Sequence, residues 1–250
     1  MDILKNKIEK MLEEKDIDIS VIQNVLKHVR DGAIRVAEKQ NGKWIVNTWI
    51  KQAILLAFKY FKSQPQEYDA FDKFGLLPYD GKYRKIPGAI IRDYAHISEG
   101  AVIMPSCINI GSYIGAKTMI DINAVIGSCA QIGANCHISA QACIGGVLEP
   151  AVAVPVIIED NCFIGAKSAI LDGVIVCENS VIAAGTIITS STRIIDRTTG
   201  KKSYGKIQPG SVVVPGSYQS NGCNINCAVV IKRVTSEVMS KTKINELLRD

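Results

Sequence analysis

Isoleucine recurs at every sixth residue through INIGSYIGAKTMIDINAVIGSCAQIGANCHISAQACIG, at Ile108, Ile114, Ile120, Ile126, Ile132, Ile138 and Ile144. A helix repeats near 3.6 residues and a strand at 2, so neither explains the interval. The same ladder takes in Ile90 and Val102, is missing at His96, pauses over GGVLEPAVAVPV, and resumes at Ile158, Ile164, Ile170, Val176, Ile182 and Ile188. Small residues often follow the ladder position, among them Gly115, Gly127, Gly133, Ser139, Gly145, Gly165 and Ala183. A short strand needs one inward side chain, and a tight corner needs a small residue that tolerates unusual backbone angles. Six residues therefore make one flat side and one corner, and three sides close a triangular coil. Stacked coils bury one another's apolar faces, so the expected architecture is a parallel β-helix with an aliphatic interior.

The ladder has two breaks. Between Ile144 and Ile158, fourteen residues containing Pro150 and Pro155 replace two hexads. After Ile188, TSSTRIIDRTTGKKSYGK interrupts the pattern before IQPGSVVVPGS resumes it at Ile207 and Val213. Loops thrown out from a solenoid tend to carry binding function. Upstream, Asp18 and Ser20 are candidate N-caps for VIQNVLKHVRDG, Asn41-Gly42 marks a hairpin, and IKQAILLAFKYFK has helical periodicity. The expected organisation is a helical N-terminal domain with hairpin and connector over 1–87, the β-helix over 88–216, and a strand-and-helix extension over 217–250.

Hydrophobic residues make up 47% of the chain and charged residues 21%, the balance of a folded globular protein. A diffuse net charge of +5 suits anionic small molecules and argues against nucleic acid as a partner. The start, MDILKNKIEKMLEEKDID, has no apolar signal region, and the longest apolar stretch carries Glu149 and two prolines, so neither export nor a membrane span is expected. The expected location is cytoplasmic, with the eight cysteines as buried thiols. A zinc site of three converging histidines is excluded by arithmetic, because the chain has three in all and His28 falls in the helical region.

The repeat, together with NIGSYIGAKTMID, IGSCAQIGANCHIS, IGGVLEP, IIEDNCFIGAKS, STRIIDR, PGSVVV and the N-terminal GAIRVAEKQNGKWIVNTW, resembles the tetrahydrodipicolinate N-succinyltransferases. The resemblance implies a left-handed parallel β-helix, mainly β and preceded by a small α-helical domain. It also implies a homotrimer with active sites between subunits. The implied reaction is N-acyl transfer from succinyl-CoA, a co-substrate rather than a resident cofactor, to an amino dicarboxylate of lysine and diaminopimelate synthesis. No metal is implied. Segments such as GAIIRD, MIDINAV and NCHIS are similar to the sister N-acetyltransferases, which keeps acetyl-CoA and a related amine acceptor as the alternative. A non-catalytic scaffold would account for the coil, but not for the helical domain or the loops.

The resemblance carries two residues over: Arg84 in RKIP as a substrate-binding group and Asp121 in TMID as a catalytic and substrate-binding group. Asp121 follows the inward Ile120, so alternation turns it outward. Arg84 offers a planar fork suited to a carboxylate. His137 precedes Ile138, should also point outward, and lies about one coil along from Asp121. Asn123 and Gln141 occupy segments that differ from the family pattern and are read as pocket wall. For the CoA arm the resemblance implies a groove lined by Gly165, Ala166, Ala184 and Gly185. Arg193 is placed near a donor carboxylate, and Lys232 and Arg233 near CoA phosphates. Where the family carries a second carboxylate, in G-A-[RK]-S-E, this chain has Ala169, and the nearby Asp172 replaces it only if the coil shifts register.

Overall fold

The computed structural model describes residues 1–67 and 69–234. Its body is a triangular prism of stacked rungs. Two six-stranded sheets and one ten-stranded sheet form the three faces, named here for an outward residue of each: the Gln131, Cys143 and His137 faces. Every contact between rungs of the coil is parallel. Ile120 stacks on Ile138, Ile138 on Ile164 and Ile164 on Ile182, with the rung backbone hydrogen-bonded throughout. Ile108, Ile114, Ile120, Ile126, Ile132, Ile138, Ile144, Ile164, Ile170 and Ile182 are fully buried in one continuous core.

The ladder of the first rungs is shifted by one residue from the sequence expectation. Ile91, Ile97 and Ile103, not Ile90, His96 and Val102, stack beneath Ile108, Ile114 and Ile120. Ile90 is half exposed. The interior therefore has no gap at His96, because Ile97 fills it. The turn through Pro105 and Ser106 is one residue shorter than the others, which moves the phase. A period-6 count cannot register such a deletion when the outward neighbours are also aliphatic.

The two breaks also resolve differently. Ile132 stacks on Ile158, so the segment after Ile144 enlarges a single side and does not replace two hexads. The later segment forms the strands Arg193–Asp196 and Lys202–Ser203, an antiparallel pair added beyond the end of the coil. The coil itself begins at Arg84–Lys85, which pairs with Val102–Ile103, rather than at residue 88. Its last strand runs through residue 216 to Ser220 and turns back as Cys223–Arg233. The helix expected at the end of the extension falls within 235–250, outside the described residues.

Three helices precede the coil: α1 (Asp2–Glu14), α2 (Ile19–Arg30) and α3 (Thr48–Tyr60). Asp18 caps α2 by accepting from the Ser20 and Val21 N–H groups, and Ser20 lies inside the helix. The hairpin turns at Asn41-Gly42, both with positive φ, as a type I′ turn requires. This domain docks on the Gln131 face. Arg35 donates to the Gln131 Oε1 at 3.0 Å and stacks 3.6 Å from the centre of the Tyr113 ring. Trp44 Nε1 and Lys39 Nζ both meet Glu159 Oε1, at 2.7 and 2.9 Å. The buried ammonium of Lys51 donates to the carbonyls of Pro150 and Ala153, fastening the enlarged side of the coil to α3. Among the described residues, no helix is long and apolar enough to cross a membrane.

Truncating one interior rung residue leaves a cavity between two others that cannot collapse. Ile138→Ala is expected to destabilise the chain by about 2–5 kcal/mol in urea unfolding. Val152→Ala, in the exposed part of the enlarged side, is expected to stay within about 0.5 kcal/mol.

Candidate active site

The His137 and Cys143 faces meet along one edge of the prism. The residues leaving the His137 face stack there as Asp121, Ser139, Gly165 and Ala183, followed by the turn residues Asn123, Gln141, Lys167 and Gly185. Each turn residue has φ between 58° and 70°, and each donates its N–H to the rung before it: Asn123 to Pro105, Gln141 to Ile122, Lys167 to Ala140 and Gly185 to Ala166, at 2.7–3.1 Å. Seven of the sequence candidates (Asp121, Asn123, Gln141, Gly165, Ala166, Ala184 and Gly185) thus share a single edge. It lies opposite the face that the helical domain covers, so within the chain it stays open.

Asp121 and His137 meet on this edge. The Nε2 atom of His137 lies 3.5 Å from Asp121 Oδ2, while Asp121 Oδ1 accepts the Ile122 N–H at 2.7 Å. At 3.5 Å the imidazole contact is too long and misaligned to be a formed hydrogen bond. Nε2 is sealed from solvent and has no other partner among the described residues. Ser139 Oγ, stacked one rung beyond Asp121, is also buried without a partner. The Phe163 ring meets the imidazole edge-on, with centroids 5.2 Å apart. Burial pushes the His137 pKa below its usual value, and it does so against Asp121, whose carboxylate pulls it upward. The ring is therefore neutral near pH 7.

The edge also presents main-chain donors. The N–H groups of Ala166 and Ala184 donate to nothing among the described residues. Gly165 explains why the Ala184 donor stays uncovered: a Cβ there would stand 2.4 Å from the Ala184 nitrogen. Any side chain at 165 would close over that donor. A carboxylate backed by a neutral imidazole has the composition of a proton-transfer site, and the free N–H groups two and three rungs further along the same edge can receive the carbonyl oxygens of a bound ligand.

Comparison with known proteins identifies the family of the chain. Residues 4–60 match the family described as tetrahydrodipicolinate N-succinyltransferase N-terminal. Residues 111–146 match bacterial transferase hexapeptide (six repeats), and residues 155–190 match hexapeptide repeat of succinyl-transferase. The 2,3,4,5-tetrahydropyridine-2,6-dicarboxylate N-succinyltransferase of Wolbachia sp. subsp. Brugia malayi is 50% identical over 243 residues, covering 92% of this chain and 89% of the relative. The enzyme of the same name from Polynucleobacter asymbioticus is 46% identical over 247 residues, covering 92% and 90%. The chain belongs to this N-succinyltransferase family. A solved Campylobacter jejuni chain assigned as a 2,3,4,5-tetrahydropyridine-2-carboxylate N-succinyltransferase shares the fold, with a TM-score of 0.58 at 17% identity over 86% of this chain and 63% of that one.

The remaining candidates lie elsewhere on this N-succinyltransferase fold. Arg84 is exposed in the first rung of the His137 face, two strands before the one that leads into Asp121, or about 10 Å along the sheet. Arg193 is not brought to the Asp121 rung. Its Nε donates to the Tyr204 hydroxyl at 3.2 Å and its guanidinium stacks 3.8 Å from the Tyr218 ring centre, six strands away in the same sheet. Arg233 is tied to Ser211 and Asp196 beyond the end of the coil, and Lys232 is exposed beside it. Ala169 sits on the Cys143 face between Cys143 and Ile187, while Asp172 occupies the turn after that face, away from Asp121. His96 is held by Arg30 O at 2.8 Å and Ser98 Oγ at 3.0 Å, and it stacks on Tyr113 under the helical domain.

Two residues of the edge escaped the sequence reading, Ser139 and Lys167. The signal for Ser139 was present, one full coil on from Asp121, but it passed as one more small corner residue. Nothing in the six-residue repeat distinguishes Lys167 from other turn positions.

The environment of His137 can be tested by proton NMR of its ring. The midpoint is expected below the usual histidine value of about 6.5. Asp121→Asn should lower it further, because removing the carboxylate takes away the group that favours the imidazolium.

Proposed function

We propose that the chain transfers a succinyl group from succinyl-CoA to the amine of tetrahydrodipicolinate in its opened form, as an enzyme of the lysine and diaminopimelate route. The observation that carries this reading is the contact of Asp121 with a neutral His137 on an open edge, in a chain 50% identical to a relative named for that reaction. The amine must be neutral to attack the thioester carbonyl. The Asp121 carboxylate orients the amine through its N–H groups and stabilises the positive charge that develops on nitrogen. The C–N bond forms as the carbonyl becomes an oxyanion, while the Ala166 and Ala184 N–H groups, two and three rungs beyond Asp121, are suited to receive the amide oxygens of the CoA arm. Asp121 collects the departing proton, with the uncharged His137 behind it. Collapse of the intermediate breaks the C–S bond, and the thiolate leaves as CoA. Holding the two substrates in line along the edge supplies much of the rest, an effect that reaches about 7–11 kcal/mol in well-oriented systems. Arg84, two strands before Asp121 on the adjoining His137 face, serves a carboxylate of the acceptor.

We place these sites between the subunits of a trimer. The outward residues of the Cys143 face, Ile90, Cys107, Val125, Cys143, Ala169 and Ile187, form an apolar stripe, with Ile90, Val125 and Ile187 about half exposed. A stripe of this kind on a soluble protein supports a protein contact. It borders the Asp121 edge, so a neighbour seated on it would wall the groove. Val125→Glu would bury a charge in that contact and is expected to shift the protein to monomers in sedimentation velocity.

Measurement of thiol release with succinyl-CoA and tetrahydrodipicolinate tests the reaction. Asp121→Ala is expected to lower kcat/KM by at least about 100-fold with the unfolding midpoint preserved. Full activity in that variant would remove Asp121 from the mechanism.

A further inference from the structure

The proposed groove carries charges in an order that has a chemical meaning. Arg84 lies two strands before the Asp121 strand, on the His137 face beside the edge, and Lys167 belongs to the edge turn two strands after it. Each interval is about 10 Å, so the line runs cation, anion, cation. An amine placed at Asp121 with its acyl group formed toward Lys167 has the same order: acceptor carboxylate, amide nitrogen, donor carboxylate.

We propose that Lys167 recognises the terminal carboxylate of the acyl donor and so selects succinyl-CoA over donors with an uncharged acyl group. This inference rests on the acyltransferase reading above. Three observations support it. Lys167 is exposed, and its ammonium has no partner among the described residues, so its charge is available. Its turn residue counterparts on the same edge, Asn123, Gln141 and Gly185, are all uncharged, which makes Lys167 the one cation among these four stacked positions. Arg193, the other candidate for a donor carboxylate, is engaged by Tyr204 and Tyr218 at the far end of the sheet.

The geometry closes. A succinyl chain leaving the amine beside Asp121 covers part of the two-rung interval, and the four-carbon stem of a lysine covers the remainder. The ammonium then meets the carboxylate in a charge-assisted hydrogen bond. An acetyl group ends one bond beyond the reacting carbonyl and cannot reach it. Lys167 therefore contributes to one donor and not to the other, which is the condition for specificity.

The test measures kcat/KM for succinyl-CoA and acetyl-CoA in the wild type, Lys167→Met and Lys167→Arg, with folding followed by thermal melting. The wild type is expected to prefer succinyl-CoA. Lys167→Met should cut the succinyl-to-acetyl ratio by about 10- to 100-fold, mainly through KM for succinyl-CoA, the range typical of a lost hydrogen bond to a charged group. Lys167→Arg should retain most of the preference. A ratio unchanged in Lys167→Met overturns the proposal, including the case in which both donors lose equally because the lysine meets CoA itself. A wild type inactive with both donors would instead overturn the acyltransferase reading.

Discussion

The structure depends on the stacking of one inward aliphatic side chain per side, rung upon rung. Each rung alone would expose both its apolar interior and its backbone hydrogen-bonding groups. Only the next rung satisfies both, so stability is shared between neighbours rather than held in a central core. This requirement fixes the spacing of the rungs at the strand separation and aligns equivalent residues of successive coils. The alignment turns a sequence repeat into a ruler. A residue on one edge has its counterparts one, two and three rungs away at distances set by hydrogen bonds rather than by loops.

The candidate site uses that ruler. Asp121, Ser139, Gly165 and Ala183 occupy the same corner position in successive rungs, but their chemistry differs sharply. One is a carboxylate, the next a buried hydroxyl, and the last two are small enough to leave main-chain donors uncovered. The corner position thus varies while the interior position stays aliphatic. A rigid scaffold with substitutable corners holds reacting groups without relying on a mobile loop.

The helical domain serves this arrangement by exclusion. It covers the Gln131 face through Arg35, Trp44, Lys39 and Lys51 and leaves the opposite edge open. Its contacts include a buried ammonium, a half-buried guanidinium and a buried carboxylate, each with polar partners. Such contacts specify one docking geometry more narrowly than an apolar patch would. The enlarged side after Ile144 is part of this contact, since the Lys51 ammonium binds its carbonyls. The break in the repeat is therefore used for domain docking, with no contact to the Asp121 edge inside the chain.

The sequence alone determined the architecture, because a six-residue aliphatic period is compatible with little besides a three-sided coil. It also determined that Asp121 and His137 lie outside the coil and about one turn apart, since both statements follow from counting. Counting failed where a residue was lost or gained: at Ile90, His96 and Val102, where the phase slipped by one, and after Ile144, where one side lengthened. It also could not place Arg193, whose loop leaves the coil, nor show that Ser139 Oγ and His137 Nε2 are sealed without partners. Those outcomes depend on how segments far apart in the chain cover one another. Spacing along a repeat determines which rung a residue joins, whereas burial, charge state and open surface are decided only when the rungs, the helical domain and the end hairpins pack together.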